Sequence, residues 1–195
     1  MGGKLIVIAG YLAAGKSTFA RRLGKELGVP CFVKDTFKSA LCESVSITDR
    51  AESSRFSAVT FDAMCYAAER LLEAGLPVIL EGNFTPPGVK PTDEAGRLRD
   101  LAARYGAPVL AFRFQGDTTV LHQRFLRREG TPERGEANRM FEAVSWETFD
   151  RLCRNLEGVE LGGETVDIDT TDFAAVDFET TIACARRFLE EGSPP

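Results

Sequence analysis

The sequence predicts one α/β domain with a doubly wound, mainly parallel sheet of five strands. Three observations lead there: short apolar runs alternate with longer stretches of helical period, 195 residues with 44% hydrophobic side chains suit one core, and no linker or repeat divides the chain. The formal net charge of −5 argues against a partner found by charge alone, such as bulk nucleic acid or an anionic membrane. Cys31, Cys42, Cys65, Cys153 and Cys184 are scattered and form no CxxC pair, so neither a disulfide frame nor a zinc site is expected. A reducing cytoplasm suits them. The run Leu5 to Ala9 is too short for a membrane span or a signal-peptide core, and the expectation is a soluble protein.

The first strand is "KLIVIA", residues 4–9. After a glycine-bearing loop a helix runs from about Lys16 to Leu27, where Gly28-Val29-Pro30 stops it, and "PCFVK", residues 30–34, is the second strand. From Ser53 a helical pattern sets Phe56, Val59, Ala63, Ala67 and Leu71 on one face and ends at Gly75-Leu76-Pro77. The third strand, "PVILE" at 77–81, leads through "TPPGVKP" into a helix capped by Thr92 and closed by Gly106. "PVLAFRF", 108–114, is the fourth strand, and Asp117 caps the helix "TTVLHQRFLRRE". Polar "GTPERGEAN", 130–138, has turn chemistry. A helix over about 139–156, a fifth strand "TVDID" at 165–169 and a last helix over about 174–189 complete the chain.

The stretch "GYLAAGKST", residues 10–18, sits between the first strand and the first helix and has the spacing of a P-loop. There the backbone of Gly10, Ala13, Ala14, Gly15, Lys16, Ser17 and Thr18 wraps a polyphosphate, Lys16 reaches its outer oxygens, and the Ser17 hydroxyl holds Mg²⁺. A chance glycine turn is the alternative. No Asn-Lys-x-Asp run reads a guanine, which favours ATP.

Asp35 follows the second strand, and the carboxyl ends of parallel strands line the ligand crevice. It is a candidate base toward a substrate hydroxyl, with Lys38 one turn on to hold an anionic group; a plain helix cap is the alternative. Glu81, at the tip of an apolar strand, suits Mg²⁺ or a nucleophile rather than a solvated strand end, and Asn83 and Phe84 are expected to face the acceptor. Arg124, Arg127 and Arg128 share a helix sector and, with Arg134, suit a lid over about 117–140; i,i+4 surface pairing is the alternative. Thr170, in "VDIDTTD", leaves the fifth strand where an adenine often sits, unless the turn is only a helix start capped by Asp172. His122 reads as a surface histidine, and Phe141 and Trp146 as core or pocket wall. Protein side chains alone supply no usual metal set.

Taken in order, "GYLAAGKST", "VKDTFK", "VILEGNF", "LHQRFLRRE" and "VDIDTTD" resemble the P-loop phosphotransferases grouped with zeta toxin, chloramphenicol phosphotransferase and the kinase half of polynucleotide kinase. The resemblance covers most of the chain. It implies a nucleotide-kinase-like fold with strand order 2-3-1-4-5, Asp35 as the base, and Arg124 and Arg128 on phosphates with Arg134 as a third candidate. Lys38 stands where some members carry Arg. Many bacterial members have Arg-His-Pro-Gly-His after the lid helix; here residues 134–138 read Arg-Gly-Glu-Ala-Asn. The implied activity is transfer of the γ-phosphoryl group of ATP, with Mg²⁺, to a hydroxyl of a small molecule. A nucleic-acid 5′-end kinase and an ATP-binding regulator or ATPase are the rivals.

Overall fold

The computed structural model describes residues 3–89, 92–129, 131, 136–138 and 142–191. Five parallel strands form the sheet: β1 (Leu5–Gly10), β2 (Cys31–Val33), β3 (Val78–Glu81), β4 (Val109–Gln115) and β5 (Glu164–Asp169), in the order β2-β3-β1-β4-β5. This is the order that the resemblance implies. Its central strand β1 is buried throughout, with Leu5, Val7 and Ala9 in one core cluster and Ile6 and Ile8 in the other. Alternation along the strand therefore feeds both faces, which is why "LIVIAG" is apolar without interruption.

The helices are α1 (Lys16–Leu27), α2 (Lys34–Leu41), α3 (Arg50–Glu73), α4 (Glu94–Tyr105), α5 (Thr118–Arg128), α6 (Trp146–Arg154) and α7 (Phe178–Glu190). Several begin elsewhere than periodicity suggests, each time because a polar side chain caps them. Asp49 accepts from Glu52 N at 2.8 Å while the Glu52 carboxylate accepts from Thr48 N, so α3 begins three residues before Ser53. Asp93, not Thr92, caps α4 through Gly96 N. Ser145 caps α6 at Trp146, so residues 142–145 are not helical; residues 139–141 lie outside those described. Asp177 caps α7, and Phe173–Ala175 is a separate 3-10 turn capped by Asp172.

Helix α3 is also rotated from its expected face. It buries Thr60, Phe61, Met64, Ala68 and Leu72 and leaves Val59 55% exposed. The expected face carried two alanines, and the larger apolar area of Phe61, Met64 and Leu72 outweighs them. Trp146 is likewise on the surface rather than in a core or pocket wall. His122 is half-buried: Nε2 lies 2.8 Å from Val144 O and the ring packs on Phe149.

Candidate functional site

The site lies at the carboxyl ends of β1, β2 and β3, where the strand order reverses. Gly10 ends β1 with φ +116°, and a Cβ there would stand 2.0 Å from Phe114 O of β4. Only glycine fits. Tyr11 N then donates to Phe114 O at 2.8 Å, which turns the chain into the loop. Ala13 takes a left-handed φ of 56°, a strained choice for a residue with a Cβ. Gly15, also left-handed, caps α1 without any side-chain bond, so the first amides of that helix are left to face the loop.

Lys16 is buried, and its Nζ donates to Gly10 O at 3.1 Å and Tyr11 O at 2.5 Å. Burial holds its ammonium below the usual lysine range, against the opposing pull of Glu81 and Asp35, and the Arg128 guanidinium adds to the lowering. Arg128 thus lies within electrostatic reach of Lys16. Ser17 Oγ donates to Glu81 Oε2 at 3.1 Å. Glu81 is buried, and burial pushes its carboxyl up to about 7, reinforced by Asp35 and opposed by Lys16 and Ser17. A hydroxyl and a carboxylate meeting beside a phosphate loop are the hard oxygen donors that magnesium takes, so the residues fit that ion.

Asp35 is exposed in the first turn of α2, whose cap residue is Val33 with no side-chain bond. Its carboxylate therefore caps nothing, and it is sensed electrostatically by both Lys16 and Glu81. Lys38 is turned inward: it is buried and donates to Ser53 Oγ at 2.7 Å. Asn83 is half-buried beside the site, whereas Phe84 does not face an acceptor; it is fully buried, with φ 42°, and packs 5.9 Å from the Phe61 ring.

On α5 the expected sector divides. Arg124 and Arg128 are half-buried and Arg127 is exposed. Arg124 Nη1 and Nη2 donate to Thr170 O and Thr171 O at 2.6 and 2.8 Å, so this guanidinium braces the turn after β5. The Thr170 hydroxyl is sealed in that turn, donating to Gln115 O at 3.0 Å, which leaves Phe173, packed against Gly15, as the nearer surface to the loop. Arg134 lies outside the described residues.

Three polar contacts were not expected from the sequence. Tyr11 Oη donates to Glu157 Oε1 at 2.7 Å, tying the loop to the end of α6. Asn138 Nδ2 donates to Asp35 O at 2.8 Å and lies 3.1 Å from Ser39 Oγ. Lys34 forms a buried ion pair with Glu94. All three span long sequence separations; the only local hint was a lysine at the end of an otherwise apolar strand.

A strand, a left-handed glycine loop and a helix carrying Lys16 and Ser17, with an acid on the neighbouring strand, define a P-loop nucleotide-binding fold. The chain belongs to the AAA domain family, which matches residues 5–156. Its structure is similar to that of a Chloroflexus aurantiacus protein provisionally assigned as a kinase, with TM-score 0.81 and 24% identity over 98% of both chains. A Sinorhizobium meliloti gluconokinase is similar at TM-score 0.56 and 16% identity over 98% of both chains. Kti12 of Chaetomium thermophilum, solved with ADP-AlF3, is similar at TM-score 0.62 and 17% identity over 94% of this chain and 97% of that one. No curated protein matches in sequence. Among the described residues no helix is long and apolar enough to cross a membrane.

Proposed function

We propose that this chain is an ATP-dependent phosphotransferase that moves the γ-phosphoryl group to a hydroxyl of a small-molecule acceptor. The observation that carries the reading is the meeting, at one end of the sheet, of Lys16, the Ser17–Glu81 contact and an exposed Asp35 that caps nothing. The backbone of Gly10, Ala13 to Gly15 and Thr18 would cradle the phosphates, and Ser17 and Glu81 would hold magnesium. When bound, that ion supplies neutralisation of charge on the phosphate oxygens.

Asp35 takes the acceptor proton as the new oxygen–phosphorus bond forms. The bond between the γ-phosphorus and the bridging oxygen breaks, and its electron pair leaves with ADP. Lys16 and Arg128 balance the charge that develops on the transferring group, and Arg124 acts by bracing the turn after β5 beside the nucleotide. Lys38 and Asn83 border the acceptor. Residues 1–195 form one kinase-like domain with a lid over about 117–140, and the unpaired cysteines suit the cytoplasm.

The likeness to a gluconokinase supports a polyhydroxyl acceptor, and the likeness to Kti12 with ADP-AlF3 supports a nucleotide on this loop. A nucleic-acid end kinase fits less well with a net charge of −5. The test is a panel of sugars, polyols, nucleosides and hydroxyl-bearing antibiotics assayed for stimulation of ADP release from MgATP. Stimulation by one class is expected; steady hydrolysis that no acceptor changes would overturn the kinase reading in favour of an ATPase or regulator.

A further inference from the structure

The helix that carries Asp35 has eight residues, Lys34–Leu41, two turns that would not hold a conformation by themselves. Its position comes from its neighbours. At the surface, Arg21 Nη2 donates to Thr36 Oγ1 at 2.7 Å and Asn138 Nδ2 donates to Asp35 O. Toward α3, Lys38 donates to Ser53 Oγ.

The deepest of these ties is different in kind. Lys34 and Glu94 are 7% and 2% exposed and form an ion pair, with the Lys34 ammonium 5.2 Å from the centre of the Phe61 ring. The other Glu94 oxygen accepts from Thr85 N at 3.3 Å. One pair thus joins the first residue of α2, the first residue of α4 and the loop that leaves β3. Removing two charges from water is costly, and a well-packed apolar pair of similar volume commonly gives equal or better stability. What an apolar pair lacks is obligation. A buried ammonium drawn away from its carboxylate is strongly penalised, so the pair tethers the first residue of α2 to the first residue of α4.

We propose that the Lys34–Glu94 pair is the positioning device for Asp35. It contacts no substrate; it acts through the first turn of α2, setting where the neighbouring carboxylate stands relative to Lys16 and the acceptor hydroxyl. The proposal rests on Asp35 as the base, and the experiment separates the two.

The full chain carrying Lys34→Met with Glu94→Leu is compared with wild type, Glu94→Gln and Asp35→Asn. Three quantities are read: the thermal midpoint, amide hydrogen exchange over residues 38–42, and ADP release from MgATP in the presence of the hydroxyl panel. The double variant, in which the buried Thr85 N loses its acceptor, is expected to melt a little below wild type, to lose about tenfold in α2 protection, and to lose about tenfold to a hundredfold in turnover, since a displacement near 1 Å has that effect. MgADP affinity, which does not depend on α2, stays within about twofold. Glu94→Gln keeps an oxygen for Lys34 and shows a smaller loss in the same direction.

Unchanged exchange in α2 overturns the proposal, as does faster exchange with undiminished turnover while Asp35→Asn is inactive. If the double variant does not fold, Glu94→Gln decides, and wild-type exchange there overturns the proposal. If Asp35→Asn turns over normally, the base reading fails, and α2 exchange still decides whether the pair holds the turn.

Discussion

The phosphate loop, Gly10 to Thr18, and the proposed acceptor side, around α2, α3 and α4, are held by different means. On the phosphate side the shape of the loop is set mostly by local backbone: Lys16 reaches back five and six positions to Tyr11 O and Gly10 O, and left-handed residues at 10, 13 and 15 turn the chain. On the acceptor side side chains reach across the fold, with Lys34 and Glu94 60 positions apart and Asn138 and Asp35 103 apart. On the proposed function, local backbone geometry would shape the donor side, and long-range side-chain ties would set the acceptor side.

If backbone geometry holds the phosphate side, removing its conformational freedom there has the largest effect. Gly10→Ala places a Cβ against Phe114 O at a φ that alanine resists, and a loss of about 3–4 kcal/mol in unfolding free energy is expected by denaturant titration. A loss below about 1 kcal/mol would mean that the loop yields, and the contrast between the two sides would weaken.

A smaller effect, readable by pH, comes from Glu81. Burial raises its folded-state value to about 7, so between roughly 4.5 and about 7 the nucleotide-free folded protein keeps a proton that the unfolded chain has released. Its contribution is present below that window and lost as pH rises through it, roughly 3 kcal/mol in all. Thermal midpoints of wild type and Glu81→Gln across this range check it: the slope is expected to be missing from the variant. An equal slope in both would place the titration elsewhere.

The smallest effect sharpens the comparison at an exception, where a side chain ties the phosphate loop to a distant helix as Ser17 ties it to Glu81. Tyr11→Phe removes the bond to Glu157, a residue exposed enough to find water instead, and about 1 kcal/mol is expected. A loss of several kcal/mol would show that the loop depends on α6 as much as on its own backbone.

The same contrast explains what was legible in the sequence. "GYLAAGKST" encodes its structure in nine adjacent residues, and strand, loop and helix all lie where they were expected. The strand order came from resemblance and holds because β1, β3 and β4 are apolar enough to be buried centrally. The inward faces of Lys34 and Lys38 were hidden, and Lys38 was expected to hold an anionic group, because the burial of a lysine depends on distant partners, here Glu94 and Ser53. Phe84 was misplaced for a related reason: a positive φ turns it back into the core, which no periodicity forecasts. Arg124 has the spacing of a phosphate ligand but braces Thr170 and Thr171, carbonyls contributed from 46 and 47 positions away.

The central claim is that Asp35 turns a bound nucleotide into a phosphoryl donor, and the most direct measurement is acceptor-dependent ADP release by Asp35→Asn beside MgATP affinity. The account predicts that turnover falls by about 10²–10⁴-fold with ATP bound as tightly as by wild type. An Asp35→Asn protein that phosphorylates the acceptor at the wild-type rate would contradict it.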